Sequence, residues 1–248
     1  MIRLRSHAFP FCPGAWVSNG CLPLPFMLLE LAAFHIRSVE VACTLGAGRI
    51  ELCTSYTEGG VTPGEDFFAR ARRAFHGPIF VMIRPRSGDF FYSPGELENM
   101  RRSIRRFRSR GADGFVLGCL KGNAVDQSAL SALVEAAGGK PVTFHRAIDQ
   151  TGDFHIALAE VIACGCSRVL TSGRAATASE GASVLAQAIG LFGARIGFVA
   201  GGGVRSTTAG PLLGITGLNE IHSAAITGPG EVADPREVTA LLQKIHGL

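Results

Sequence analysis

The chain is expected to fold as a (β/α)8 barrel, eight parallel strands ringed by helices, and three features of the sequence carry that expectation. The first is a repeat. GAGRIEL from residue 46, GADGFVL from 111, GCSRVLT from 165 and GLNEIHS from 217 each run from a small-residue turn that ends a helix into a short apolar strand. Their spacing is about twice a strand, loop and helix unit, so a further strand belongs to each interval. The second is that FMLLEL, PIFVMIR, PVTFHR and RIGFVA fill those places, three of them just after a proline, which makes eight strands. The third is size and composition: 248 residues, 47% hydrophobic and only 18% charged, with 32 glycines, suit buried parallel strands joined by many tight turns. A chain this long buries roughly 70 to 75% of its unfolded surface, so its core needs no disulfide or metal to hold it. An open doubly wound sheet is the alternative, but no GxGxxG turn follows the first strand.

Residues 1–25 show no helical or strand periodicity and are broken by Pro10, Pro13, Pro23 and Pro25. They are expected to form a disordered extension, or to precede a true start at Met27; a short arm packed under the barrel floor is the other reading. The barrel is expected over residues 26–248. FMLLEL opens it, RIELC follows as the second strand, and the rest come in the order PIFVMIR, GFVL, PVTFHR, RVLT, RIGFVA and EIHS. Helix starts are signalled at Thr62, Ser93 and Asp234. Each precedes a proline and stands three residues ahead of a glutamate (Glu65, Glu96, Glu237), the pattern of a capping box with proline at the first helical position.

A formal charge of +4 slightly favours anionic ligands and does not by itself argue for nucleic acid. The basic stretch RRSIRRFRSR (101–110) reads as a solvated helix face, since it lacks interleaved aromatics on which bases would stack. The 7 cysteines have neither CxxC nor CxxH spacing, which argues against a disulfide framework or a structural zinc site and for a reducing cytosol. Cys164 and Cys166 read as small buried residues at a helix end. No apolar run reaches the roughly 18 residues of a membrane span, so no membrane partner is expected.

Alternation along each strand assigns its faces. Glu30 and Ala32 on the first strand, Glu51 and Cys53 on the second, Arg84 and then Arg86 after the third, Thr143 and His145 on the fifth and His222 on the eighth are expected to point inward. In a barrel of this kind the C-terminal strand ends build the active site. Glu30, Glu51, Arg84, His145 and His222 are therefore the candidate catalytic residues, with Glu51 or a histidine as base and Arg84 as anion clamp for a small acidic substrate. The plainer alternative is that Glu30, Glu51 and Arg84 merely neutralise one another inside the barrel. Ligand-binding candidates come from the loops beyond the strands: Arg86, Asp89, Arg146, Asp149, Thr171, Ser172, Gly201, Gly202 and Ser223. The TSG, GGGV and SAA turns after the last three strands can offer backbone N–H groups to an anion such as phosphate, although a glycine triplet also serves a tight turn. Phe90 and Tyr92 either line the mouth or pack the long loop after the third strand.

The segments IELCTSYTEGGVTPG, VMIRPRSGDFFYS, GADGFVLG, PVTFHRAID, RVLTSGRAATASEG and EIHSAA, in that order, closely resemble the CutC copper homeostasis proteins over about residues 27–225. The resemblance implies a cytosolic (β/α)8 barrel that forms homodimers or higher homo-oligomers. It also implies a copper(I) site made by two thiolates, one in an EVC motif on the first strand and one in the IELC motif on the second. Here the second is Cys53, the candidate metal ligand, while Ala32 stands at the first. A single sulfur with no neighbouring methionine makes a poor site for a soft ion, which leaves His145 and His222 as the other candidates at the mouth. Two functions follow: copper binding, or metal-independent catalysis on a small anionic carboxylate or phosphate metabolite.

Overall fold

The four repeat glycines share one backbone conformation. Gly46, Gly111, Gly165 and Gly217 have φ of 81°, 89°, 88° and 87°, the left-handed region that a side chain disfavours, and each turns the chain out of a helical segment toward a strand. In the computed structural model, which describes residues 27–247, those turns and their partners generate eight strands: Leu28–Ala33, Arg49–Leu52, Ile79–Met82, Gly114–Leu117, Val142–Phe144, Arg168–Thr171, Gly197–Gly201 and Glu220–Ser223. All are parallel, and each pairs with the next in chain order until the eighth pairs with the first and closes the barrel. The (β/α)8 fold is thus the one observed. The extension at residues 1–25 lies outside the described residues.

Among the described residues eight helices ring the strands: α1 (Ile36–Leu45), α2 (Glu65–Ala74), α3 (Pro94–Ser109), α4 (Gln127–Ala137), α5 (Phe154–Ala163), α6 (Ala182–Phe192), α7 (Gly210–Leu213) and α8 (Pro235–His246). Outward residues such as Leu29, Leu31, Ile50, Leu52, Val81 and Phe115 join Val39, Phe68, Ile104 and Leu185 from the helices in the main core. The barrel interior keeps a second, smaller cluster of Cys53, Phe80, Met82 and Val116. Registration such as Glu30 opposite His222 and Ala32 opposite Glu51 stacks the inward residues in layers.

The three helix-start signals resolve differently. Ser93 and Glu96 form the full capping box of α3. Asp234 caps α8 through the Arg236 N–H, but Glu237 accepts from the backbone N–H and hydroxyl of Ser206 instead of closing a box. Thr62 caps nothing. Gly64 precedes α2, and Thr62 brackets Arg84: its N–H donates to the Arg84 carbonyl at 2.9 Å and its Oγ1 accepts from the Arg84 N–H at 2.8 Å. Glu65 is released to pair with Arg106 and Arg110, so the basic face of α3 is ion-paired to α2 as well as solvated.

Two further elements were not expected. A hairpin pairs Leu120–Lys121 with Ala124–Val125 around a Gly122-Asn123 turn, a signal present in KGNA. The third and fifth strands end early, at Met82 and Phe144; the backbone at His145 opens a 3-10 turn over Arg146–Gln150. Cys166 is buried, whereas Cys164 is partly exposed at the end of α5.

Candidate functional site

The barrel interior holds charged groups at its floor as well as at its mouth. At its floor Arg49, 4% exposed, is ion-paired to both Glu30 and Glu220. The guanidiniums of Arg49 and Arg168 lie over the Phe80 ring, 4.9 and 4.2 Å from its centroid, and Arg168 Nε donates to Thr143 Oγ1 at 3.3 Å. A carboxylate taken out of water needs such partners. Burial opposes ionisation of Glu30, but the His222 hydrogen bond and Arg49 outweigh it and hold the carboxyl at about 2.

Above the floor runs a chain of three titratable groups. Glu30 Oε1 lies 2.7 Å from His222 Nδ1, and His222 Nε2 lies 3.7 Å from Glu51 Oε2. Cys53 Sγ donates to the same Glu51 oxygen at 3.2 Å. Burial, the largest influence on Glu51, pushes its carboxyl above the ordinary range, and the nearby Glu30 charge adds to this against the attraction of His222. Burial opposes the imidazolium of His222 too, yet Glu51 and the Glu30 hydrogen bond prevail and raise it. His222 is thereby tied as a cation to an ionised Glu30, while Glu51 is left as the group able to take or give a proton. Its Oε1 is buried with no hydrogen-bond partner among the described residues.

The mouth is a cavity of about 260 Å³, lined on one side by Glu51, Arg84, Phe90 and His145 and on the other by Gly202, Arg205, His222 and Ser223. Phe34, Tyr56, Met82 and Leu170 supply its apolar wall. Arg84 is 6% exposed. Its Nη1 donates to the carbonyls of Glu58 and Gly60 and its Nη2 to that of Gly88, and its plane lies over Phe90 at 4.9 Å. No carboxylate pairs with it among the described residues, and Nε has no partner. A cation so buried and uncompensated invites an anion. His145 differs. Its Nδ1 accepts the Ala147 N–H at 3.2 Å, which puts the ring proton on Nε2, and Nε2 is buried without a partner. Burial, with the Arg84 charge second, lowers it to about 3. His145 is therefore a neutral N–H donor at the cavity wall, suited to hold a ligand oxygen and unsuited to act as a base.

A direct test is available. Nitrogen-detected NMR should show His145 as the neutral Nε2–H tautomer even at about pH 5, below the ordinary imidazole value of about 6.5, while His222 remains protonated at that pH. A His145 titration midpoint near the ordinary value would refute its assignment as a buried neutral donor.

Of the expected catalytic residues, Glu51, Arg84, His145 and His222 share the cavity wall, whereas Glu30 stands one layer below and reaches the wall through His222. Among the loop residues, Arg146, Gly202 and Ser223 line the cavity. Asp149 lies behind it, accepting from Arg146 Nε at 3.0 Å, from the Ser172 N–H at 3.1 Å and from the Thr171 hydroxyl; Thr171 and Ser172 are spent on this network. Gly201 makes room: a Cβ there would press on Leu170 and come within 3.1 Å of His222. Arg86, expected to point inward, instead lies outside the cavity, bonded to Glu96 at 2.6 Å and Asp89 at 2.9 Å, where it ties down the loop after the third strand. Tyr92 packs under Arg86, while Phe90 takes the lining role. Sequence reasoning missed Arg205, although it directly follows the GGGV turn, and missed the floor residues Arg49, Arg168 and Glu220.

Cys53 sits beneath the wall at 1% exposure, and burial followed by the Glu51 charge raises its thiol well above the usual value. The expectation that it has no neighbouring methionine is corrected, because Met82 belongs to the same inner cluster. Even so, a thiol held protonated, a thioether and a histidine that carries its ring proton on the free Nε2 are a poor donor set for copper(I), and no three His, Cys, Asp or Glu side chains gather as a metal group among the described residues.

Fold and site together define a (β/α)8-barrel protein that collects buried acid, base and guanidinium groups at the C-terminal mouth, where barrel enzymes keep their chemistry. The sequence model of the CutC family matches residues 27–227, and the chain belongs to that family. A protein of Xanthomonas campestris pv. campestris strain B100 described as a family protein CutC is 43% identical over 200 residues, 80% of this chain and 83% of that protein. A counterpart from Pasteurella multocida strain Pm70 is 40% identical over 197 residues, covering 79% and 81%. The crystal structure of the putative copper homeostasis protein CutC from Streptococcus agalactiae superposes with a TM-score of 0.76 at 29% identity, covering 81% of this chain and 100% of that one.

Proposed function

We propose that this CutC-family protein is a metal-independent enzyme that binds a small anionic metabolite at the barrel mouth and moves a proton on it with Glu51. The observation that carries the reading is Arg84: a buried guanidinium that donates to the carbonyls of Glu58, Gly60 and Gly88 and has no carboxylate partner among the described residues, in the wall of the cavity that Glu51 and the neutral His145 share. An oxyanion fills that need. A ligand oxygen held by Arg84 and the His145 N–H would place a neighbouring C–H or O–H proton before Glu51, whose raised affinity for protons suits transfer in either direction. His222 and Glu30 position Glu51 and keep its surroundings fixed in charge. Copper(I) binding is the family-name alternative, and the donor set argues against it. We also take the protein to act in the cytosol as a homo-oligomer, a reading supported by Cys43, Cys53, Cys119, Cys164 and Cys166 remaining free thiols and by the exposed apolar Ile156 and Leu191. No helix among the described residues is long and apolar enough to cross a membrane.

The test has two arms. Millimolar phosphate or citrate should raise the thermal midpoint of the protein, and Arg84→Gln should abolish the rise; an unchanged response in Arg84→Gln would remove the site. In competition with a copper(I) chelator under reducing conditions, the native chain should lose, and Ala32→Cys should gain at least about tenfold, or about 1.4 kcal/mol. A native chain that already competes as well as Ala32→Cys, and fails once Cys53 is replaced by Ala, would restore copper as the ligand.

A further inference from the structure

The mouth holds two guanidiniums that lack a carboxylate, and they stand on opposite walls. Arg84 follows the third strand and Arg205 the seventh; in a closed ring of eight strands these places are diametrically opposed. Arg205 is fixed much as Arg84 is. Its Nη1 donates to the Val204 carbonyl at 2.8 Å and the Ser223 hydroxyl at 3.3 Å, its Nη2 donates to the Ile226 carbonyl at 2.9 Å, and no ion pair claims it among the described residues. The other cations of the wall are compensated: Arg146 by Asp149 at 3.0 Å, His222 by Glu30 at 2.7 Å. Glu51 lies beyond ion-pair distance of both free guanidiniums.

The two walls also differ. Beside Arg205, Gly202 and Gly203 take φ of 115° and 65°, and the N–H groups of Gly203 and Val204 find no acceptor among the described residues. A cation with several backbone donors suits a phosphate, whose three oxygens spread charge in all directions. Beside Arg84 stand the single N–H of His145 and the aromatic face of Phe90, a narrower setting that suits a planar carboxylate.

Resting on the reading of the mouth as an anion site, we propose that the natural ligand carries an anionic group at each end, a phosphate held by Arg205 and the Gly202–Val204 turn and a carboxylate held by Arg84 and His145, with the atoms between them presented to Glu51. A cavity of about 260 Å³ restricts the bridge to a few carbons, since pockets for drug-sized ligands begin near 300 Å³.

Calorimetric titration of the full chain with three probes tests this: 3-phosphoglycerate, which has both groups, glycerol 3-phosphate, which has only the phosphate, and glycerate, which has only the carboxylate. The two-ended probe should bind at least about tenfold more tightly than either one-ended probe, because the buried Arg84 and the partly buried Arg205 then each gain a charge partner. Arg205→Gln should weaken glycerol 3-phosphate and leave glycerate unchanged, and Arg84→Gln should do the reverse. Comparison of the probes on the unaltered chain stands even if Arg84→Gln fails to fold. Equal affinities for all three would overturn the two-ended ligand and leave a single-anion site standing; no saturable binding by any of them would overturn both.

Discussion

Replacing Glu30 with Ala is expected to cost about 3 to 5 kcal/mol of folding stability, because it strands the charges built around it. Arg49 would keep only Glu220, and His222 would lose the carboxylate 2.7 Å from its Nδ1 that makes its cationic form tolerable. Urea unfolding followed by circular dichroism at neutral pH measures the loss; a fall of under about 1 kcal/mol would show that Glu30 does not hold Arg49 and His222 in place. Glu30→Gln, which keeps a hydrogen-bonding oxygen but not the charge, should fall between. The pH dependence has a definite sign. Glu30 ionises at about 2 in the fold against an ordinary 4.5, so its contribution is present above 4.5 and lost as pH falls toward 2. At about 1.36 kcal/mol per unit this is on the order of 3 kcal/mol, and the Glu30→Ala chain should be correspondingly less sensitive to acid across that window.

Much of this site was legible because strands alternate strictly. Once the glycine turns fixed where each strand begins, the inward positions of Glu51, Arg84, His145 and His222 followed from counting by two, and the barrel left them one opening to share. Counting by two gives a direction but no height. Glu30 points inward like Glu51 yet lies a layer lower, since the parallel strands are staggered: Ala32, two residues on, is the one that registers with Glu51, while Glu30 registers with Arg49 of the floor on that side. Arg86 was misplaced for a related reason: the third strand stops at Met82, and beyond its end the loop's own pairing with Glu96 decides where the side chain goes. Thr62 looked like a helix cap because the local pattern Thr-Pro-x-Glu is complete, but its partner, Arg84, lies just beyond the end of the third strand and appears in no local window. Arg205 needed knowledge that the loops after the seventh and eighth strands meet, which only the closed ring supplies.

Gly181→Ala is expected to cost at least about 3 kcal/mol, although alanine is the better helix former. Gly181 immediately precedes α6, where a Cβ would land on the carbonyl oxygen of Ser172, a backbone atom that cannot swing aside. Ser172 is itself held by Asp149 and Arg146, so displacement would spread to the cavity wall. Gly190, inside the same helix, is the internal control. A Cβ there meets nothing within 4 Å, and Gly190→Ala should stabilise by about 0.5 to 1 kcal/mol through the unfolded chain. Opposite signs for two Gly→Ala changes in and beside one helix, read by denaturant unfolding, support close backbone approach as the cause; a loss of less than about 1 kcal/mol at Gly181 would contradict it.

The charged floor beneath the cavity also governs traffic. With Arg49, Glu30, Glu220 and Arg168 packed around Phe80, the bottom of the barrel is stoppered, and every wall residue of the cavity belongs to the opposite rim. Among the described residues such a vessel has one door. Whatever enters must leave by the way it came, so under the proposed reading a transformed occupant would block its successor until it departs, and product and substrate would contend for the same vacancy. On the proposed enzyme reading, turnover in a cul-de-sac of this shape would be paced by departure as much as by chemistry, with the loops that carry Arg84 and Arg205, set on either side of the entrance, as the doorposts past which each molecule slips twice.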